Sequence, residues 1–216
     1  MDSVINFVKN NVDIYEKNFL EAVSLTLVSM ISISLLPHLQ YKYKFFSFVT
    51  NGDMERAADF LALLLIHMGT FKNYAFFESL FTNQRYAVPQ WYYYTIFIFG
   101  VVSILFGSIL VVCSFRKLGL RGMYFGDHFG FFFNKRIEAF PYNYFKNPQY
   151  FGTNMIYLGL SLVTRSLAGL ILTFFIVCMY EVFWRFMESK KLNEFYPINY
   201  ESDTSSGSTD MDKKTK

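Results

Sequence analysis

The run from Trp91 to Phe115, WYYYTIFIFGVVSILFGSILVVCSF, contains no charged residue. A helix needs roughly 20 predominantly apolar residues to cross a hydrocarbon layer of about 30 Å, and this run is long enough. It opens on Trp91, Tyr92, Tyr93 and Tyr94, amphipathic rings that favour the headgroup level of a bilayer. The rest of the chain strengthens the constraint. With 216 residues, 53% hydrophobic content, 27 Phe and 16 Tyr, it carries more apolar surface than one small soluble core could hide, and a bilayer is the natural solvent for the excess.

Three further apolar regions flank this one. Phe19 to Leu36 has only Glu21 near its edge and is expected to stop at Pro37, which cannot donate a backbone hydrogen bond. Phe60 to Phe71 is interrupted by His67 and closed by Lys72, so a short span and an interfacial or tilted helix are both open. Phe151 to Trp184 is longer than one crossing requires and carries Arg165 near its middle. As one helix it would bury that charge at cost; as two helices joined near Arg165 and Ser166 it brings the charge to the surface, and the broken form is favoured. The expected fold is all-α: a polytopic transmembrane bundle of about four hydrophobic segments, the last a helical hairpin. Residues 1–200 form one integral-membrane domain, and the small, polar, charged tail 201–216 cannot offset its ordering entropy and is expected to be disordered.

Several functions are disfavoured at once. A net charge of +3, with Lys and Arg scattered between apolar runs, makes no stripe for nucleic acid. Cys113 and Cys178 lie inside apolar segments with no Cys or His at ligand spacing, so neither a metal site nor a disulfide framework is indicated. Asp2, Lys9, Asp13, Glu16 and Lys17 punctuate the N-terminus before any apolar core, which does not fit a cleaved secretory signal. No internal repeat of the kind transporters show is visible.

Between the third and fourth regions, Arg116 to Tyr150 is rich in aromatics yet studded with Gly119, Gly122, Gly126, Gly130, Pro141 and Pro148. No helical or strand period survives in it, and it is expected to lie along the interface, where backbone groups still find water. Its order of motifs is distinctive: Gly107, Val111 and Ser114, then Gly119 and Gly122, then YFGDHFG (124–130), FPYN (140–143), NPQYFG (147–152), YLG (157–159) and GLILT (169–173). Together these resemble the phospholipid methyltransferase family, and HMGTFKNYAFFESL (67–80) is loosely similar to that family's second segment.

The resemblance places the motif-bearing part at 105–196. It implies a multi-pass enzyme of the endoplasmic reticulum membrane, with S-adenosylmethionine as methyl donor and phosphatidylethanolamine or its mono- and dimethyl derivatives as acceptors on the way to phosphatidylcholine. It implies donor contacts at Leu105, Phe106 and Gly107, at Tyr150 and Gly152, and at Met187 and Glu188, where the family has paired glutamates and this chain keeps only the second. His128 stands where the family usually has tyrosine. The related isoprenylcysteine carboxyl methyltransferases share a Pro-x-Tyr-x-Gly element but not FGDHFG or FPYN. A non-enzymatic transport or assembly protein is the rival from another class.

The residue types suit methyl transfer, in which alignment of two reactants does much of the work. Glu188 can pair with the donor's ammonium by charge-assisted hydrogen bonds, or be a solvated acid beside Lys190 and Lys191. Gly107 allows close approach of a donor or of a neighbouring helix. Asp127 reads equally as a cap on backbone donors and as the carboxylate that recognises the cationic headgroup. His128 can take the amine's proton, its reference pKa being near neutrality, although water can do so as well. Tyr142, Tyr144, Phe145, Tyr150 and Phe151 read as a cation–π cage or as interface anchors. Arg116, Lys117, Arg121, Lys135, Arg136 and Lys146 place the loop in the cytosol, and Lys213, Lys214 and Lys216 resemble a dilysine retrieval signal; a hairpin broken near Arg165 accommodates both.

Overall fold

The computed structural model describes residues 12–82, 89–131, 137, 139–183 and 185. The regular elements in them are helices: α1 (Lys17–Tyr43), α2 (Phe45–Val49), α3 (Met54–Thr82), α4 (Gln90–Met123), a 3-10 turn (Gly126–Phe129), α5 (Pro148–Thr164) and α6 (Leu167–Phe183). Glu16, Met187, Glu188 and the tail were all read from sequence; Met187, Glu188 and residues 201–216 lie outside the described residues.

Glu16 caps α1, its Oε2 accepting from the Phe19 N–H at 2.8 Å and from the Thr82 hydroxyl at 3.2 Å, so one carboxylate starts α1 and ties it to the far end of α3. Contrary to expectation, α1 does not stop at Pro37 but carries it, buried, and continues to Tyr43. Proline removes the donor that would serve the Ile33 carbonyl, yet leaving the helix inside an apolar surrounding would strand more backbone groups than that one. The helix stops where Lys44 adopts left-handed backbone (φ 53°). Gln40 then closes the corner, its Oε1 accepting from the N–H groups of Phe46 (3.0 Å) and Ser47 (3.2 Å) while its Nε2 donates to Ser47 Oγ (2.7 Å).

Asp53 starts α3 by accepting from the N–H groups of Glu55 and Arg56, both at 3.1 Å. The short second segment is thus part of a helix of 29 residues, and Lys72 is buried within it instead of closing it. α4 likewise passes Phe115 and enters the stretch expected to be irregular. It bends at Gly119, whose φ of 65° and ψ of −178° are open only to glycine. Beyond the bend Arg121 returns to α3, its Nε on Asp59 Oδ1 at 2.8 Å and its Nη2 on Asp59 Oδ2 (3.0 Å) and Glu55 Oε2 (3.2 Å). That fork gives the last turn of α4 a partner that no periodicity reveals.

The fourth region breaks where expected. Arg165 is left-handed (φ 54°), its N–H bonds the Leu162 carbonyl and the Ser166 N–H bonds that of Ser161, a helix-ending pair. Ser166 Oγ then accepts from the Gly169 N–H at 3.1 Å to start α6. The Arg165 guanidinium lies over the Tyr93 ring, 5.1 Å from its centroid, among the aromatics that open α4.

α4 packs chiefly on α5, α1 on α3, and α6 fits against α5, α1 and α3. Lys17–Tyr43, Met54–Thr82 and Gln90–Phe129 are long and apolar enough to cross a membrane, and α6 is a shorter apolar helix. Their outward faces present Ile31, Leu35, Phe71, Val102, Leu105 and Ile109. The fold is a helical membrane bundle with these side chains against lipid.

Candidate functional site

The α4–α5 contact is made by glycine. Gly107 faces Gly152 and Gly100 faces Gly159, seven residues on along each helix in opposite directions, so the helices run antiparallel along one seam. A Cβ on Gly152 would stand 2.7 Å from the Gly107 carbonyl oxygen, and one on Gly107 would meet the Gly152 carbonyl. Two of the expected donor contacts therefore touch each other. Leu105 and Phe106 turn outward beside them, and Phe106 joins Phe145 (6.3 Å between centroids) and Phe151 (6.5 Å) in an aromatic surface at the mouth of the seam.

Tyr150 is not part of that surface. It stacks on Tyr180 of α6, 4.7 Å between centroids and 11° between planes, which separates it from Phe145 and Phe151. The five rings considered from sequence thus do not close into one cage: Phe145 and Phe151 stack on each other, Tyr144 lies against Phe140, and Tyr150 turns to α6.

Asp127 and His128 sit on the 3-10 turn after α4, which Phe125 enters (φ 61°) and Gly130 leaves (φ 90°) in left-handed backbone. Asp127 Oδ1 accepts from the His128 N–H at 3.0 Å and stands 2.8 Å from His128 Nδ1, which fixes the ring. The His128 ring is buried against Tyr41 and Phe125, with centroids at 5.8 and 5.5 Å. Phe129 anchors the turn in a cluster with Phe46, Ala57, Ala58, Leu61 and Leu65. Asp127 thus serves a local backbone donor and the imidazole at the same time, with part of its carboxylate still exposed.

A third group was missed in the sequence. Lys72 is the one Lys, Arg, Asp or Glu that is buried among the described residues. Its Nζ donates to the Tyr180 hydroxyl at 2.9 Å and lies 5.1 Å from the Tyr180 and 5.3 Å from the Tyr157 ring centroid. Tyr157 in turn donates its hydroxyl to Asn73. Tyr124, just ahead of the Asp127 turn, is within electrostatic reach of Lys72 and Tyr180. The signal available was the run Tyr150, Asn154, Tyr157, Ser161, polar at helical spacing along one face of an otherwise apolar helix.

The family model for phospholipid methyltransferases matches residues 95–199. Phosphatidylethanolamine N-methyltransferase A of Dictyostelium discoideum is 30% identical over 185 residues, 86% of this chain and 85% of that protein. Phosphatidyl-N-methylethanolamine N-methyltransferase of Schizosaccharomyces pombe is 30% identical over 171 residues, covering 75% and 85% of the two chains. Phosphatidylethanolamine N-methyltransferase of Rattus norvegicus is 36% identical over 95 residues, 44% of this chain and 48% of the relative. No solved structure matches significantly. The chain belongs to the phospholipid methyltransferase family.

Proposed function

We propose that this protein methylates the amine of phosphatidylethanolamine and of its mono- and dimethyl forms toward phosphatidylcholine, with S-adenosylmethionine as donor, in the endoplasmic reticulum membrane. The observation that carries the reading is the match along 86% of the chain to a relative of that name, on a helical membrane bundle in which Gly107 and Gly152 of the family pattern meet. Names of the relatives favour this over the isoprenylcysteine-type and transport readings.

When bound, the donor supplies an electrophilic methyl: the amine nitrogen bonds the methyl carbon as the carbon–sulfur bond breaks, its electron pair stays on sulfur, and the new ammonium loses a proton in the first two methylations, the third giving a quaternary ammonium with none to lose. The chain's part is to hold and orient. Glu188 pairs with the donor's ammonium group. Phe106, with Leu105 beside it, offers the outward surface against which the donor rests, Gly107 and Gly152 close the seam behind it, Met187 flanks Glu188, and Tyr150 bounds the site on the side of α6. Asp127 fixes His128, whose imidazole takes the proton released by the amine. The helices keep bulk water from the reacting atoms.

Membranes containing the protein, incubated with donor labelled in its methyl group, should transfer label to extractable lipid. Label found only in a protein carboxyl-ester fraction would move the assignment to the isoprenylcysteine type.

A further inference from the structure

Lys72 has three N–H donors and a full charge, and no carboxylate pairs with it among the described residues. Burying a cation without a counter-ion is costly, and membrane proteins keep such charges mainly where they act. The tyrosine hydroxyl and ring faces around it compensate only in part.

A second, independent observation lies on the same wall. Asn154 Oδ1 is shielded from solvent and has no hydrogen-bond partner among the described residues. An amide oxygen in that condition carries an unmet desolvation penalty. Asn154 follows Tyr150 by four residues and precedes Tyr157 by three, so all three share one face of α5. Tyr150 and Tyr157 are the residues that meet Tyr180 and Lys72. The opposite face carries Gly152 and Gly159 on the α4 seam. Asn154 is thus less than one helical turn from Tyr157, whose ring the Lys72 ammonium of α3 approaches, so the partly compensated cation and the unused acceptor share one neighbourhood.

Tyr150 is the third residue of α5 and stacks on Tyr180, to which Lys72 donates, so the ammonium lies alongside α5 between the levels of Tyr150 and Tyr157.

We propose that Lys72 and Asn154 form the acceptor headgroup site, Lys72 holding the phosphodiester of the lipid and Asn154 Oδ1 accepting an N–H of its amine. This rests on the methyltransferase reading above. The headgroup has one permanent negative charge and, two carbons away, a nitrogen that as a free amine carries two N–H groups when unmethylated, one when monomethylated and none when dimethylated. Lys72 then serves every acceptor, whereas Asn154 serves only the first two. The donor's carboxylate is the other oxyanion with the right chemistry, and the experiment separates the two.

The test uses full-length protein in mixed micelles with defined acceptors, with donor binding measured separately on the same preparations. Lys72→Met should raise KM at least tenfold for all three phospholipid acceptors and leave donor affinity within twofold. Parent protein should discriminate at least tenfold between phosphatidylethanolamine and a diacyl amine lacking the phosphodiester, and Lys72→Met should lose that discrimination; Lys72→Arg should restore most of it. Asn154→Ala should raise KM at least fivefold for unmethylated and monomethyl acceptors but leave the dimethyl acceptor within twofold. If Lys72→Met fails to insert or to bind donor, the Asn154→Ala contrast and the parent's discrimination against the phosphate-free amine decide the matter. Weakened donor binding with unchanged lipid KM would assign Lys72 to the donor's carboxylate and overturn the proposal. So would variants indistinguishable from parent, or an Asn154→Ala effect equal on all three lipids. A parent that methylates no lipid would instead overturn the function on which the site rests.

Discussion

Gly107 and Gly152 face each other across the α4–α5 seam so closely that a Cβ on Gly152 would stand 2.7 Å from the Gly107 carbonyl oxygen. Either alanine must push backbone apart, not merely turn a side chain. Gly107→Ala and Gly152→Ala should each destabilise the folded protein by about 1–3 kcal/mol, the usual cost of overpacking. Thermal unfolding in detergent measures it. Gly69, with no atom near its would-be Cβ, is the control: Gly69→Ala should unfold no earlier than parent. Equal midpoints for all three variants would deny the seam.

Arg121 bonds Asp59 through two nitrogens and Glu55 through one, bridging the end of α4 to the start of α3. Arg121→Gln should speed hydrogen exchange at amides between Gly119 and Gly130 while α5 keeps its protection. Asp59→Asn should do nearly the same, and Glu55→Gln less, having one longer contact to lose. Exchange unchanged in Arg121→Gln would mean that the turn is held by Phe129 and its apolar neighbours alone.

His128 is fixed by Asp127 and buried against Tyr41 and Phe125. If it takes the amine's proton, His128→Gln should lower kcat on the order of a hundredfold, the lower range for general-base catalysis, with donor affinity unchanged. Asp127→Asn keeps an oxygen for the His128 N–H and removes the charge, so it should lower kcat less. Parent-like turnover in His128→Gln would assign the proton to water.

The resemblance aligns Glu188 with the second acid of the family's glutamate pair, and the proposed function has it hold the donor's ammonium. Glu188→Gln should cost roughly 1.5–3 kcal/mol of donor binding, as for a lost charged hydrogen bond. That corresponds to a rise of about tenfold to a hundredfold in the donor's Kd. Glu181, engaged with Arg185 at 2.6 Å and exposed, is the control, and Glu181→Gln should leave Kd unchanged. Equal affinity in parent and Glu188→Gln would remove Glu188 from the site.

The spans were legible where a single physical rule governs them. Trp91 to Phe115 is free of charge, and its crossing follows from length alone; Arg165 cannot sit unpaired in mid-membrane, and the chain turns there. The misses are places where a distant partner decides. Pro37 stays helical because lipid penalises leaving the helix more than it penalises one lost hydrogen bond. Met123 ends α4 late because Arg121 finds Asp59, sixty-two residues earlier in the chain. Lys72 reads as a terminator until Tyr180 and Tyr157 are seen beside it. The motif residues were visible as an ordered pattern, but the pattern could not say that Gly107 meets Gly152, or that Tyr150 turns away from Phe151 toward α6.

The central claim is that this bundle methylates phospholipid amines, and its most direct measurement uses purified protein in bilayers with one amine-bearing acceptor at a time: phosphatidylethanolamine, its monomethyl form or its dimethyl form. With methyl-labelled S-adenosylmethionine, label should appear in the next more methylated lipid of at least one series, in proportion to protein and absent without donor. Unlabelled lipid in all three bilayers, while the Dictyostelium discoideum relative labels its product under the same conditions, would contradict the account.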